Sequence, residues 1–520
     1  MDPVITTLVI LAVAIIAFVS NRVPLEIVAV GVALALWATG ILTLPEVLSG
    51  FGDPTVIFIA TLFIVSEALD AAGVMAWAGQ WVIGRAGTKP TRLVIVIGLL
   101  VAVVSAFISI NGAVAALLPL VVVVAARAGI AASKLLIPLA FAASAGSLLT
   151  LTGTPVNIVV SDIAASNGGR AFGYFEFALV GIPVVLGTIA IILLFGPRLL
   201  PERPAATVPV DLSRHARLLR DQYHVTLETA AIVNTTDGVS EIVVPPRSPM
   251  IGERVVPGMA VPGDAVVVLA VRRGDDVIND QEVVIRAGDA LLMQGSWDDL
   301  VIHSETSGVL AVDAPRQLRR SVPLGRGARR SLIVLAGMVV LLATGLVPPA
   351  VAGLLAVGAL ILSRGLTFPQ AYRSVSWTTI VLIAGMMPLA TAVSVTGTAD
   401  LVADALIGWL GGSNPYLSLL ALCALTLILG QLISNTATVL IVAPIAVALA
   451  GILDLSVMPF MMALTVAGAA AFFTPIATPA NLMVMEPGGY RFGDYWKLGL
   501  PLALFFLAMA VLYVPLIWPF

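Results

Sequence analysis

The feature that most limits this chain is a succession of apolar runs that leaves little else. Segments 4–20, 24–40, 54–70, 93–125, 135–165 and 177–198 fill the first 200 residues. Segments 331–346, 349–363, 378–394, 418–450, 457–486 and 499–518 fill the last 190. None of the twelve carries more than two charged side chains. A helix of roughly 20 apolar residues spans a bilayer core, so the chain has material for ten or more crossings. Only 11% of its 520 residues are charged, against about 25% in a soluble domain. Such a chain cannot cover a water-facing surface. It reads as a polytopic α-helical protein of the cell (inner or plasma) membrane, with the lipid bilayer as its surroundings and no role in binding nucleic acid.

The remaining charge is concentrated. Residues 205–330 hold 14 of the 27 Lys and Arg, 16 of the 30 Asp and Glu, and all three histidines, His215, His224 and His303. That composition predicts a folded polar domain between two membrane regions. Runs 240–246, 264–271 and 283–293 are β-branched and bounded by Pro and Gly, which predicts strands, the last pair turning at Gly288-Asp289. Segment 211–223 is a polar helix candidate. The expected division is membrane repeat 1 (1–200), polar domain (205–315), basic linker (316–330) and membrane repeat 2 (331–520). Arg316, Arg319, Arg320, Arg326, Arg329 and Arg330 precede an apolar run, and such clusters mark the cytoplasmic side. The N-terminus, Met1-Asp2-Pro3, lacks a basic stretch, so the first apolar run is expected to be retained as a helix. Cys423 is the single cysteine, which excludes an intrachain disulfide.

The two apolar halves overlay at an offset of 324–325 residues: Pro24 on Pro349, Pro45 on Pro369, Gly73 on Gly397, Ser109 on Ser434 and Pro119 on Pro444. Thr154-Pro155-Val156-Asn157 falls on Thr478-Pro479-Ala480-Asn481. Duplicated halves mark secondary transporters. An odd number of crossings per half would make the repeats inverted. In each half the fourth run is expected to be a re-entrant hairpin and the fifth a broken helix. Irregular backbone at membrane depth is tolerated where it is buried or lines a cavity, so matching interruptions point to a binding site.

The interruptions are rich in neutral oxygen. The second hairpin tip reads Gln431-Leu-Ile-Ser434-Asn435-Thr436-Ala-Thr438, and its broken helix Thr474-Pro475-Ile-Ala477-Thr478-Pro479-Ala-Asn481. The first broken helix reads Thr150-Leu-Thr152-Gly153-Thr154-Pro155-Val-Asn157. Hydroxyl, amide and freed carbonyl oxygens suit a hard monovalent cation, and helix N-termini facing inward suit an anion. Ser, Thr and Gly in membrane helices also pack helices together, which is the better account of isolated cases such as Thr61 and Thr344. Carboxylates are absent from the tips and breaks. Glu67 and Asp70 share a helical face but align with Thr391 and Ser394, outside the duplicated motifs, while Asp162, Asp400 and Asp404 fall near the ends of runs.

These motifs resemble the divalent anion/sodium symporters of the ion transporter superfamily, over roughly 390 residues in both halves. The resemblance implies a homodimeric permease. It implies a substrate site of Ser109, Asn111, Gly112, Thr154, Pro155, Asn157, Ser434, Asn435, Thr436, Thr478, Pro479 and Asn481. It further implies sodium sites of Ser109, Asn111, Thr152 and Gly153, and of Ser434, Asn435, Thr474 and Ala477. The first tip, Ser109-Ile110-Asn111-Gly112, departs from Ser-Asn-Thr and resembles arsenite permeases. Phrases 241–252 and 286–295 resemble the TrkA C-terminal (regulator of potassium conductance) domain, over about 75 residues. That implies a small, mostly β, dimerising module that takes an effector, nucleotide-like or ionic, although the chain has no Gly-rich nucleotide loop. The sequence also lacks Walker, His/Cys metal and nucleophile-elbow motifs. The expectation is thus a transporter and not an enzyme, with no covalent cofactor. It would carry a small anion such as sulfate or a di- or tricarboxylate, coupled to sodium and regulated by the inserted domain. A cation–proton antiporter or arsenite-type efflux permease, and a ligand-gated channel or membrane sensor, stay open as alternatives.

Overall fold

The computed structural model describes residues 2–74, 77, 89–203, 237–312 and 327–520, apart from 21, 257, 260–265, 275, 279–281, 298, 301–308 and 411–413. The helix candidate at 211–223, the three histidines, and Arg316, Arg319, Arg320 and Arg326 lie outside the described residues. The chain groups into two compact units. One is Met1–Glu67, Val82–Thr207 and Leu332–Phe520, and the other is Ala68–Trp81 and Val208–Ser331.

The larger unit is built from helices that repeat in order. The first half supplies α1 (Pro3–Ser20), α2 (Leu25–Ala38), α3 (Leu44–Leu48), α4 (Pro54–Ala71), α5 (Pro90–Ser105), α6 (Ile110–Ala128), α7 (Leu136–Gly146), α8 (Pro155–Ser166) and α9 (Ala178–Leu199). The second supplies α10 (Ala328–Thr344), α11 (Pro349–Leu362), α12 (Phe368–Ser374), α13 (Trp377–Val395), α14 (Thr398–Leu410), α15 (Pro415–Leu429), α16 (Asn435–Ile452), α17 (Val457–Gly468), α18 (Pro479–Met485) and α19 (Tyr495–Ala508). A π turn (Met509–Tyr513) and α20 (Val514–Ile517) extend the last helix. Many of these helices open on proline, where the missing N–H would have been unpaired anyway.

The duplication reaches local detail. Thr43 and Glu46 form a capping box on α3, and their repeat mates Thr367 and Gln370 form the same box on α12. Left-handed backbone recurs in pairs: Gly40 with Arg364, Gly73 with Gly397, and Gly129 with Asp454. Arg364 and Asp454 adopt φ of 56° and 53° where the other half has glycine. The turn geometry therefore belongs to the repeated unit and not to one residue type.

Six helices or helix pairs are long and apolar enough to cross a membrane among the described residues: Pro3–Ser20, Leu44–Ala71, Ala178–Leu199, Trp377–Val395, Asn435–Ile452 and Phe492–Ile517. Each long run that the sequence marked as interrupted is two helices. Run 93–125 is α5 and α6 around residues 106–109, and 135–165 is α7 and α8 around 147–154. Runs 418–450 and 457–486 divide likewise, around 430–434 and 469–478. Pro119 and Pro444 sit inside α6 and α16 without ending them.

The smaller unit contains a five-stranded antiparallel sheet ordered β4-β3-β6-β1-β7, with a separate β2–β5 pair. Its strands are β1 (Asp237–Val243), β2 (Arg254–Val255), β3 (Val266–Arg273), β4 (Asp276–Ile278), β5 (Val283–Val284), β6 (Ala290–Ser296) and β7 (Leu310–Ala311). The first strand starts and ends three residues earlier than the sequence suggests, because Pro245 and Pro246 have no N–H for the ladder. Strand β6 runs past Met293 to Ser296, paired along its length with β1. Ile242, Val268, Leu291 and Met293 lie in one core that Trp297 closes. Trp297 stacks over Gly238, where a Cβ would lie 2.3 Å from the indole.

Candidate functional site

The site is built from four chain breaks. In the second half, α15 ends at Gly430 and α16 starts after Ser434, whose Oγ accepts from the Ala437 N–H at 3.3 Å. Gln431 fastens this tip to the nearby break. Its Nε2 donates to Leu427 O at 3.1 Å and to Ala470 O at 3.0 Å, and its Oε1 accepts from the Phe473 N–H at 2.9 Å. Thr474 and Thr478 each precede a proline, which biases them away from helical backbone, and both are extended, with φ of −135° and −142°. The Asn481 side chain reaches back from α18, donating through Nδ2 to Ala471 O at 2.9 Å and Thr474 O at 3.2 Å. Its backbone N–H donates to Thr478 Oγ1 at 3.2 Å, and its carbonyl accepts from Tyr495 OH at 2.7 Å.

The first half builds the same frame. Ser109 Oγ accepts from the Gly112 N–H at 3.2 Å. Thr154 is extended before Pro155, with φ of −151°. Asn157 donates through Nδ2 to Ser147 O at 2.9 Å and Thr150 O at 2.8 Å. Both asparagines thus hold the carbonyls ten and seven residues before them. Each break is also backed by a glycine. A Cβ on Gly181 would lie 2.2 Å from Leu148 O, and one on Gly499 would lie 2.3 Å from Phe472 O.

The side chains then diverge. Where the second half has Gln431, the first has Ala106, and the tie from tip to break is made by the Thr150 hydroxyl donating to Ala106 O. Thr150 Oγ1 also lies 3.3 Å from Thr152 Oγ1, which in turn lies 2.9 Å from Tyr174 OH. The Thr152 hydroxyl is thus engaged by its neighbours. In the second half Thr474 Oγ1, Asn435 Oδ1, Thr438 Oγ1 and Asn481 Oδ1 are buried with no hydrogen-bond partner. Of their repeat mates Thr150, Ile110, Ala113 and Asn157, only Asn157 Oδ1 is a buried oxygen without a partner.

The halves interlock at this level. Helix α18 packs on α6 and α7, and its counterpart α8 packs on α16 and α17. Phe141 of α7 meets Phe472 of the opposite break with ring centroids 4.7 Å apart. Ser109, Asn111, Gly112, Ser434, Asn435 and Thr436 at the tips are half-buried, as are Thr154 and Pro155. Asn157, Thr478, Ala477, Thr152 and Gly153 are buried, Thr474 is half-buried, and Pro479 is exposed. Gln431, Thr150 and Thr438 stand within the sequence motifs, but their roles come from hydrogen bonds, made or missing, that the motifs do not encode, and Tyr174 lies outside those motifs. The signal for Gln431 was present, since its repeat mate is an alanine. No group of three or more His, Cys, Asp or Glu suited to a metal ion occurs among the described residues.

Paired helix breaks lined with neutral oxygens, inside a duplicated and mostly apolar helical fold, define a multi-pass membrane transporter and not an enzyme. Residues 15–451 and 396–520 match the CitMHS citrate transporter family, and the chain belongs to it. An uncharacterized transporter of Escherichia coli, YfbS, is 30% identical, the match covering 98% of each chain. Sodium/sulfate cotransporter 1 of Chlamydomonas reinhardtii is 25% identical over 55% of this chain and 30% of its own length. The crystal structure of the Alcanivorax borkumensis YdaH transporter has a similar fold, with a TM-score of 0.52, 14% identity, and coverage of 99% of this chain and 98% of that one. The family match does not show the TrkA C-terminal resemblance of the polar domain.

Proposed function

We propose that the chain is a sodium-coupled secondary transporter of a small multivalent anion, a di- or tricarboxylate such as citrate, or sulfate. One observation carries this reading: the second half buries four oxygens, Asn435 Oδ1, Thr438 Oγ1, Thr474 Oγ1 and Asn481 Oδ1, with no protein partner. A buried polar atom without a partner is costly, and a hard cation that prefers oxygen would relieve that cost. The tips and breaks carry no carboxylate, so a bound sodium ion would leave net positive charge. Helices α6, α8 and α16 begin at the same breaks and direct positive dipole ends towards them. An anion would be attracted by both. Cation and anion favour each other's binding in a low-dielectric site, which is the physical basis of symport. The descriptions of the relatives, a citrate transporter family and sodium/sulfate cotransporters, agree with this chemistry.

In this reading the repeats are inverted, the α5–α6 and α15–α16 pairs are re-entrant hairpins, and the substrate sits between the tips. The substrate residues are Ser109, Asn111, Gly112, Thr154, Pro155, Asn157, Ser434, Asn435, Thr436, Thr478, Pro479 and Asn481. The polar domain is a cytoplasmic TrkA C-terminal-like module that binds an effector and biases alternating access, and the protein is a homodimer. The test is uptake of citrate, succinate and sulfate into proteoliposomes with sodium or choline outside. Sodium-dependent uptake of one anion, lost in Asn435→Ala, is the expected result. Transport that follows a pH gradient and ignores sodium would replace symport with proton-coupled antiport.

A further inference from the structure

We infer that the two breaks have divided their work: the second half alone holds a coupling cation, and the equivalent place in the first half is closed by the protein's own hydrogen bonds. This inference rests on the sodium-coupled reading and names its stoichiometry, one sodium site instead of a symmetric pair.

The duplication provides an internal comparison, position by position. Four oxygens of the second half's tip and break motifs, those of Asn435, Thr438, Thr474 and Asn481, lack partners. At two of the four matching positions the first half has the hydrocarbon side chains Ile110 and Ala113 in place of Asn435 and Thr438. At the third, Thr150 spends its hydroxyl hydrogen on Ala106 O and contacts Thr152 with its oxygen. The fourth, Asn157 Oδ1, lacks a partner, as does Ser105 Oγ at the end of α5, and two neutral oxygens are too few to replace a sodium ion's hydration shell. Thr152, a further hydroxyl of the first break, is held at 2.9 Å by Tyr174 OH.

The exchange of Gln431 for Ala106 explains how this came about structurally. Every break must be tied to its hairpin tip, or the backbone groups there stay unpaired. Gln431 makes that tie with both ends of its amide, to Ala470 O and to the Phe473 N–H. That leaves Thr474, the next residue, with a free oxygen. Ala106 has no side chain to reach across, so Thr150 makes the tie and ceases to be available. Gln431 is therefore a positioning residue for the cation site. The Thr150–Thr152–Tyr174 chain of hydroxyls is a fixed strut.

The experiment is the sodium dependence of anion uptake in proteoliposomes of the full chain, read together with sodium-dependent thermal stabilisation without substrate. A single site gives a Hill coefficient of about 1 in both readouts, whereas two coupled sites give a value approaching 2. Thr474→Val raises half-saturating sodium by about tenfold or more. Gln431→Ala also raises it, and Gln431→Glu restores part of the loss because its carboxylate still accepts from the Phe473 N–H. Tyr174→Phe, which keeps the ring, shifts half-saturating sodium by no more than about twofold. A Hill coefficient near 2, or a sodium shift in Tyr174→Phe as large as that in Thr474→Val, would overturn the division of work while leaving sodium symport in place. Saturable uptake with no sodium effect in either readout would overturn both. Should Thr474→Val fold poorly, Thr474→Ser keeps the oxygen and must retain normal sodium affinity, and failure to do so also counts against the site.

Discussion

Asn481→Leu isolates the frame from the chemistry. Asn481 is 1% exposed, and its Nδ2 donates to Ala471 O at 2.9 Å and to Thr474 O at 3.2 Å. Leucine has a similar volume and no donor, so the change opens no large cavity but leaves the break carbonyls short of hydrogen bonds. A buried polar group stripped of its partner costs about 1–3 kcal/mol. One short and one longer contact together predict a loss of about 2–4 kcal/mol. On the scale for mid-sized domains, about 2–4 °C per kcal/mol, this lowers the apparent Tm by about 4–16 °C. The assay is thermal unfolding of the purified full chain, with the inactivation half-life measured alongside because large proteins often unfold irreversibly. Asn157→Leu removes the equivalent bonds, at 2.9 and 2.8 Å, and should destabilise to a similar degree. The two differ in sodium response without substrate: Asn481→Leu also removes an unpartnered oxygen of the proposed cation site and should raise the sodium concentration needed for thermal stabilisation, whereas Asn157→Leu should not. An unchanged Tm in Asn481→Leu would refute the idea that the asparagine amide supports the break.

Gly181→Ala and Gly499→Ala should each destabilise by about 1–3 kcal/mol through overpacking, since the new Cβ would lie 2.2 and 2.3 Å from break carbonyls. Gly31→Ala, with open space around it, is the control, and the yield of monodisperse protein is the readout. Tyr490→Phe should lower thermal stability by about 1–3 kcal/mol, because the buried hydroxyl donates to Ser133 O and accepts from the Ile137 N–H, tying the two halves together. The sheet domain should weaken in acid through Asp289. Burial raises this carboxyl's pKa, but the Arg273 guanidinium and the Arg286 N–H outweigh burial and hold it below the ordinary 3.8. A depressed folded pKa means the contribution is complete above the unfolded value and is lost as pH falls from about 4 through the folded value. Hydrogen exchange of strand β6 in the full chain, corrected for intrinsic rate, should rise over that range, and Asp289→Asn should abolish the step.

Much of the fold was legible because the bilayer imposes a coarse code. Apolar runs, their doubling at 324–325 residues, and the four interrupted segments all follow from side-chain types and proline positions. Thr-Pro pairs marked the broken helices, and the extended backbone found at 154, 474 and 478 has the same origin, because proline constrains the residue before it. What the sequence hid was hydrogen-bond traffic. Asn157 and Asn481 read as ligands, yet their amide donors are spent on the chain itself, and only the acceptor oxygen is left over. Asp289 read as a turn residue, but it forms a two-pronged ion pair with Arg273 at 2.8 and 2.7 Å. Such pairings depend on which strands become neighbours, and local pattern does not encode that.

A duplicated chain allows structural and chemical roles to be separated without reference to any other protein. Features present in both halves at matching positions, namely the asparagine clamps, the serine caps at Ser109 and Ser434, and the glycines behind the breaks, are what the architecture demands of any such break. Features present in one half only are free of that demand. The unpartnered oxygens of Asn435, Thr438 and Thr474 fall in the second class, and so does Gln431. Fold stability alone favours the first half's arrangement, in which the threonine hydroxyl is paired and two polar side chains are replaced by hydrocarbon. The second half forgoes those gains, at a cost of about 1–3 kcal/mol for each buried polar group left without a partner. A chain keeps such a deficit where a ligand makes it good, which is why the two breaks, alike in backbone, are assigned different tasks.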